Sequence, residues 1–342
     1  MVGYNQLPTT PPLAPITAKI RTEAQRSPFA VRRALAGLGY QETINFSFVE
    51  ERWEHELAGN PNPIKLLNPI ASQMSVMRSS LLGSLLQVLK FNLDRRADRV
   101  RVFELGRVFL RDATVQNTDT TVAGFHQPMR VAGIAYGRAE LLQWGRKDAP
   151  VDFFDVKGDI ESLLAPRKPV FEPAEHPAMH PGRCARVKLD GQAIGFVGEL
   201  HPKWRQGYDL AQAPVLFELE LDAVLQRTVP VFAGVGKHQA VERDIAVIVA
   251  ESVGHARLMA SVHAAPTQGL LRGATLFDVY RPKAVKPGEA NPSAWLAEGE
   301  KSLAVRLTLN SDEGTLTEAQ IEASVQAVLG QLAKDLGARL RA

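Results

Sequence analysis

From residue 245 to the C-terminus the apolar residues switch between strand-like and helix-like spacing in a fixed order, and that order constrains the chain more than any other feature of its 342 residues. Residues 245–249 form an apolar run of strand length, and 256–264 carry helical spacing. Residues 274–280 and 303–309 read as two further strands, separated by a proline-bearing loop over 281–301. The last helix opens on Thr317-Glu318-Ala319-Gln320, which fits a capping box. Its Ile321, Val325, Val328, Leu329, Leu332 and Leu336 fall on one stripe of a 3.6-residue period. Residues 339–341 are long enough for a short closing strand. The order βαββαβ is the ferredoxin-like split unit.

Upstream the pattern is longer and more mixed. Residues 1–27 hold Pro8, Pro11, Pro12 and Pro15, too many donor-less positions for a helix or central strand, and read as a linker or the tail of something preceding. Ser27-Pro28 starts a helix carrying Phe29, Val31, Leu35 and Leu38, closed by Gly37 and Gly39. Ile44, Phe46 and Phe48 alternate with polar neighbours, as in a half-buried strand. A second helix starts near Ser79-Ser80 and carries Leu81, Leu82, Leu85, Leu86 and Leu89. Strands are expected over 100–109, 131–136, 185–189, 193–198 and 215–221, with a third helix over 155–164. Mostly hairpin-spaced strands mixed with helices predict an α+β fold with an antiparallel sheet. The second joint, 226–236, divides residues 28–228 from residues 232–342, in keeping with roughly 100–200 residues per domain.

Composition excludes several classes. With 45% hydrophobic and 23% charged residues the chain is neither fibrous nor disordered. No apolar run approaches the ~20 residues of a bilayer span, no secretory leader is visible, and the lone Cys184 cannot form an internal disulfide. A cytoplasmic protein is expected. The net charge of +3 comes entirely from residues 1–231, since 232–342 hold 12 basic and 12 acidic side chains. Any nucleic-acid footprint must therefore be a local patch. His176, His180 and Cys184 are spaced i, i+4, i+8, a tempting metal trio, but Pro177 and Pro181 would break the helix that spacing needs. His180-Pro181-Gly182-Arg183 reads instead as a tight turn entering a strand. Asp152, Asp155 and Asp159 could hold Mg²⁺, although Asp152 or Asp155 as a helix cap is the simpler role. No metal site is expected.

Eight motifs then fall in order along the chain. They include Met77-Arg78 with Ser80-Leu81-Leu82, Phe103-Glu104-Leu105-Gly106-Arg107-Val108-Phe109, Asp152-Phe153-Phe154-Asp155 with Lys157-Gly158-Asp159, and His180-Pro181-Gly182-Arg183. Gly198-Glu199-Leu200-His201-Pro202, Arg243-Asp244-Ile245-Ala246-Val247, Leu276-Phe277-Asp278-Val279-Tyr280 and Lys301-Ser302-Leu303-Ala304 complete the set. Together they resemble the bacterial phenylalanyl-tRNA synthetase beta subunit family, over nearly the whole chain and in family order. The resemblance implies a class II synthetase-like, non-catalytic domain over 28–228 and a ferredoxin-fold anticodon-binding domain over 232–342. It implies a C-terminal portion of a longer subunit. It also implies a catalytic alpha subunit as partner in an α2β2 assembly and the tRNA for phenylalanine as ligand, with no DNA or membrane. ATP and Mg²⁺ would serve the full assembly, and no cofactor is expected in this portion.

The residues bear on that picture separately. An adenylate-forming site needs cations on the α-phosphate, usually an arginine two residues before a strand glutamate. Here Val102 stands two before Glu104, and Arg101 is one residue off, on the opposite face. No catalytic residue is expected. In the last domain, strict alternation makes Val305, Leu307, Leu309, Phe277, Val279, Ile245 and Val247 the buried face. The other face presents Asp244, Ala246, Ala274, Asp278, Tyr280, Ala304, Arg306 and Thr308. Tyr280 offers a stacking plane there, and the Asp278 carboxylate can accept from the N1–H and N2–H of an unpaired guanine. By resemblance, Ala246, Asp278, Tyr280 and Arg341 match positions that contact the first anticodon base. Arg243, Arg281, Lys301 and Arg306 are candidate phosphate contacts from their sign and location. Two other readings remain: an autonomous class II ATP-dependent ligase, and a purely structural assembly module. Trp295 and the loop around it, 282–300, carry no expectation.

Overall fold

The first helix starts where the Ser-Pro pair places it. Ser27 is extended and its hydroxyl accepts from the Ala30 N–H, Pro28 takes the first helical position, and α1 runs Pro28–Gly37. Gly39, at φ +85°, then carries the chain away in a conformation other residues resist. In this computed structural model residues 22–232, 237–281 and 296–341 are described, with 6, 9–11, 13 and 14 upstream. Trp295, Gly234 and Gly236 lie outside the described residues. Contacts divide the chain into two units, Met1–Pro230 and Val231–Ala342.

In the first unit, β1 (Gln41–Glu42), β2 (Phe48–Val49), α2 (Glu51–Glu56), β3 (Ile64–Lys65) and β4 (Val76–Met77) lead to α3 (Leu82–Leu93). Then come β5 (Val100–Arg107), the small hairpin β6 (Leu110–Arg111) with β7 (Phe125–His126), and β8 (Met129–Tyr136). The unit continues through α4 (Phe153–Leu164), β9 (Val170–Pro173), β10 (Met179–Leu189), β11 (Gln192–Leu200), α5 (Pro202–Gly207), β12 (Val215–Glu220) and α6 (Leu221–Leu225). Seven strands form one sheet in the order β1-β5-β8-β12-β11-β10-β9, antiparallel throughout except for β1 beside β5. The expected α+β class with an antiparallel sheet is therefore found. Both faces of that sheet are covered. Phe103 and Leu105 pack with Val31, Leu35 and Ile160 of α1 and α4, while Val100 and Val102 pack with Leu85, Leu86 and Leu89 of α3. A strand covered twice is buried at every position, and β5 is buried from Val100 to Gly106.

Two local expectations fail. Ile44 and Phe46 are 92% and 66% exposed, and the strand is confined to Phe48–Val49. The polar alternate turns inward instead, because Asn45 donates its side-chain N–H to Glu104 at 2.7 Å, which forces its apolar neighbours out. Residues His180 to Arg183 are not a turn before a strand. They lie within β10, at a register shift between Met179 and Cys184, where the Gly182 N–H donates to His180 Nδ1.

The second unit runs β13 (Val241–Ala250), α7 (His255–His263), β14 (Leu271–Tyr280), β15 (Glu300–Leu309), α8 (Glu318–Leu336) and β16 (Arg339–Leu340). Its sheet order, β14-β15-β13-β16, is that of the ferredoxin-like split unit. Leu258 and Val262 of α7 and Val328 and Leu332 of α8 pack against Ile245, Val247, Leu303 and Val305, so both helices cover the same sheet face. The capping box at Thr317 and Gln320 forms as expected, and Gly337 ends α8 in the left-handed conformation.

One close approach within the large sheet gives a test of its packing. Gly133 of β8 lies directly opposite Phe217 of β12, and a Cβ there would sit 2.5 Å from the ring. Phe217 is fully buried and cannot swing away. Gly133→Ala should therefore destabilise the first unit by about 1–3 kcal/mol, the usual cost of overpacking, read as a lowered midpoint in chemical denaturation.

Candidate nucleic-acid interface

The second unit leaves one sheet face without a described helix, and the register of its strands decides what stands there. Ala246 pairs with Ala304, and Ala304 pairs with Asp278 on its other side. The Arg341 N–H donates to the Ala246 carbonyl at 2.8 Å, extending the antiparallel β13–β16 pairing by one residue. Asp278, Ala304, Ala246 and Arg341 thus form a single row across four chain segments. Two small residues hold the middle of the row flat between an exposed carboxylate and an exposed guanidinium. Tyr280 stands in the next row, opposite Ser302, and the Arg341 guanidinium lies 5.8 Å from its ring centre. Tyr280 is half-buried and Asp278 exposed, on the side away from α7 and α8.

Alternation alone misassigns the residues before that row. The β14–β15 register shifts between Leu276 and Asp278. Leu276 is opposite Val305 and packs on the core, and so does Ala274, which was expected on the open face. Phe277, expected in the core, is 52% exposed. It lies with its ring centre 5.3 Å from the guanidinium of Arg306, which stands between the buried Val305 and Leu307 and so points to the open side. Val279 returns to the core-side register opposite Leu303, though it remains partly exposed on the edge strand. A bulge puts two residues where one partner stands, and every side chain beyond it changes parity.

The four candidate phosphate contacts part company. Arg306 is held by Asp244 through two bonds of 2.8 and 2.9 Å, with Glu242 at 3.5 Å. The guanidinium in turn keeps the Asp244 carboxyl below its ordinary pKa. Arg243 turns to the helix side and pairs with Glu318 at 3.0 Å. Lys301 is 7% exposed and donates to the Glu251 carbonyl at 2.7 Å, so its charge is not offered to solvent. Arg281 is exposed and pairs with Glu251 at 2.9 Å. The sign of a side chain did not reveal which way it faces.

In the first unit the charged groups of the sheet are turned on each other. Arg78 meets Glu104 at 2.9 Å, with side chains 3% and 4% exposed. Glu218 accepts from Ser80 Oγ and the Leu81 N–H on one oxygen and from Arg130 on the other. Glu54 accepts from the Ser79 N–H and from Asn60. Glu218 and Glu54 stand just before α3, where they take the Leu81 and Ser79 N–H groups, and the Leu81 cap has no side-chain bond of its own. Arg101 does lie on the face opposite Glu104, where it pairs with Asp159 at 2.8 Å. The Tyr40 hydroxyl donates to the same carboxylate, and burial together with the Asp159 charge pushes that hydroxyl well above its ordinary pKa. The sequence signal for this network was a lone glutamate inside an apolar strand, at Glu104 and at Glu218, but it named no partner.

Residues 7–221 match the family model described as the phenylalanyl tRNA synthetase beta chain CLM domain, and residues 236–341 match the ferredoxin-fold anticodon binding domain. The chain is 50% identical over 343 residues to the phenylalanine–tRNA ligase beta subunit of Cupriavidus pinatubonensis, covering 99% of this chain and 41% of that protein. To the same subunit of Ralstonia nicotianae it is 50% identical over 344 residues, covering 99% and 42%. To that of Burkholderia lata it is 48% identical over 342 residues, covering 99% and 41%. The chain belongs to the phenylalanyl-tRNA synthetase beta chain family. It spans about two-fifths of the length of the curated relatives it matches.

His176, His180 and Cys184 each have local partners, and among the described residues no group of three His, Cys, Asp or Glu side chains is placed to hold a metal ion. His176 Nδ1 accepts from the Ala178 N–H. Cys184 is buried, its thiol pushed up to about 11 by that burial. Asp152 and Asp155 close a capping box on α4. Burial, reinforced by the Arg130 charge and opposed by Glu218, lowers the His176 pKa below its ordinary value. The folded state then holds fewer protons than the unfolded one near pH 6, so this contribution to stability is complete above the unfolded pKa of ~6.5 and is lost as pH falls. Chemical denaturation from about pH 7.5 to about pH 5.5, across that ordinary value, should show wild type losing more stability than His176→Gln. Parallel losses would place a charged imidazole in the fold.

Proposed function

We propose that this chain is the part of a phenylalanine–tRNA ligase beta subunit that reads the anticodon loop of phenylalanine tRNA and braces the catalytic alpha subunit of an α2β2 assembly in the cytoplasm. The observation that carries the reading is the row Asp278–Ala304–Ala246–Arg341 with Tyr280 beside it. A flat floor admits a base edge-on, the carboxylate accepts from the N1–H and N2–H of guanine, and the tyrosine ring supplies a stacking plane. RNA is read by sequence where its bases are unpaired, which suits an anticodon loop.

The first unit acts as support rather than catalyst. Chemistry on ATP would need free cations facing an open sheet, but Arg78 and Arg130 are spent on Glu104 and Glu218, and Arg101 on Asp159. These residues do not fit ATP or Mg²⁺, which belong to the full assembly. Bracing a partner needs surface instead. Ile44, Phe46, Leu67 and Ile70 are strongly exposed apolar residues around β2, β3 and β4, and large exposed apolar groups mark interaction sites.

Binding of an anticodon stem-loop hairpin to the chain tests the first half. Tyr280→Ala should weaken it by about 1–3 kcal/mol, the usual size for one stacked base. Asp278→Ala should weaken a hairpin with guanine at the first anticodon position and leave an adenine variant unaffected. Unchanged affinity in both variants sinks the anticodon role and leaves a structural module. ATP–pyrophosphate exchange by this chain alone is expected to be absent, and its presence would favour an autonomous ligase.

Co-expression with an alpha subunit tests the second half. Ile44→Asp with Phe46→Asp should abolish the heteromeric peak in sizing while hairpin affinity holds. A retained complex would move the contact elsewhere, with the exposed Leu141, Leu142 and Trp144 the next surface to test.

A further inference from the structure

The open face of the second unit carries an aromatic side chain that the Asp278 row does not use. Phe277 sits on edge strand β14 with half its surface in water, although the same strand packs Leu276 against the core one residue earlier. The bulge aims it outward, beside Arg306. Arg306 is itself fixed: Asp244 grips it through both carboxylate oxygens, and Glu242 stands at 3.5 Å. Two carboxylates around one guanidinium leave little charge to attract a phosphate. What remains is a flat, rigid guanidinium beside an exposed ring.

We infer that Phe277 and Arg306 form a second stacking surface, which takes the unpaired nucleobase adjacent to the one held at Asp278. This rests on the anticodon reading proposed above and extends it by one nucleotide. Aromatic rings and arginine planes are the surfaces on which unstacked bases lie, and they accept any base because each has a π-face. Phe277 and Asp278 are chain neighbours, and a strand advances only about 3.3 Å per residue. Two consecutive bases splayed from a loop can therefore meet the two positions together. The surface contributes affinity and orientation, while Asp278 contributes choice of base.

The test is a binding cycle with the full chain and synthetic anticodon stem-loop hairpins, intact or abasic at the nucleotide on either side of the first anticodon base. Phe277→Ala should weaken the intact hairpin roughly tenfold, and should cost nothing further on the hairpin lacking the base it contacts. Phe277→Tyr should bind as wild type. Arg306→Lys, which keeps the charge and removes the plane, should weaken binding as Phe277→Ala does, with the salt dependence unchanged. Thermal melting of each variant shows whether the fold is kept, and both side chains are exposed enough for that to be expected. Full affinity in Phe277→Ala alongside weakened Tyr280→Ala overturns this inference and leaves the anticodon reading standing. Full affinity in all three variants, with Asp278→Ala, overturns both. Equal losses on every hairpin overturn it, since they mean no particular base is stacked. So does loss of self-association in Phe277→Ala with RNA binding intact, because the ring would then serve a second copy of this chain.

Discussion

A one-residue slip of register in β14 governs what the second unit offers to solvent. Leu276 faces the helices through its pairing with Val305, and in an unbroken strand Asp278 would face the same way. An unpaired carboxylate in that interior would be costly. The slip lets Leu276 and Val279 both point toward the core while Phe277, Asp278 and Tyr280 gather on the other side. Three side chains useful for holding a base thus stand within four residues of one edge strand. Central strand β15 fixes their height, pairing along its length with β13 on one side and β14 on the other.

The first unit solves a different problem. The central strands of its sheet are covered on both faces, so a charge well inside them is a buried charge and must find a partner. Glu104 and Glu218 do so with arginines from other segments, and Glu54 with backbone N–H and amide donors. Because Glu218 also receives the Leu81 N–H at the start of α3, its ion pair with Arg130 positions that helix on the sheet. Removing one partner would leave a buried charge exposed to nothing, and such losses are typically about 3–5 kcal/mol. The cations that could have served a phosphate are thereby spent on rigidity, in keeping with the supporting role proposed above.

The sequence was most legible where structure is local. The capping box at Thr317 and Gln320 and the helix start at Ser27 depend on residues within a turn of each other, the βαββαβ order on periodicity inside each element, and all appear as read. It failed where the deciding partner is distant. Nothing near Ile44 and Phe46 shows that Asn45 will turn in toward Glu104, 59 residues away. Nothing in the Leu276-Phe277 pair shows where the bulge falls, since both residues suit either face. Arg243 and Lys301 have the right sign for a phosphate, but which side of the sheet a lysine or arginine takes is set by pairing across strands. The row at Asp278 was nonetheless legible in outline. Alternation placed Asp278, Ala246 and Ala304 on one face, and the bulge happens to restore that parity after Leu276.

Charge balance in the second unit fits this division of labour. Among its described residues six basic side chains are ion-paired in place: Arg243, Arg272, Arg281, Lys301, Arg306 and Arg339. A surface with matched cations releases few counterions from a nucleic acid, so binding there depends weakly on salt and gains little from long-range attraction. An RNA loop held on such a face is held by planes and acceptors at short range. That suits discrimination between bases better than capture of an RNA from solution. The net charge of this chain is carried by residues 1–231 and so lies outside the second unit.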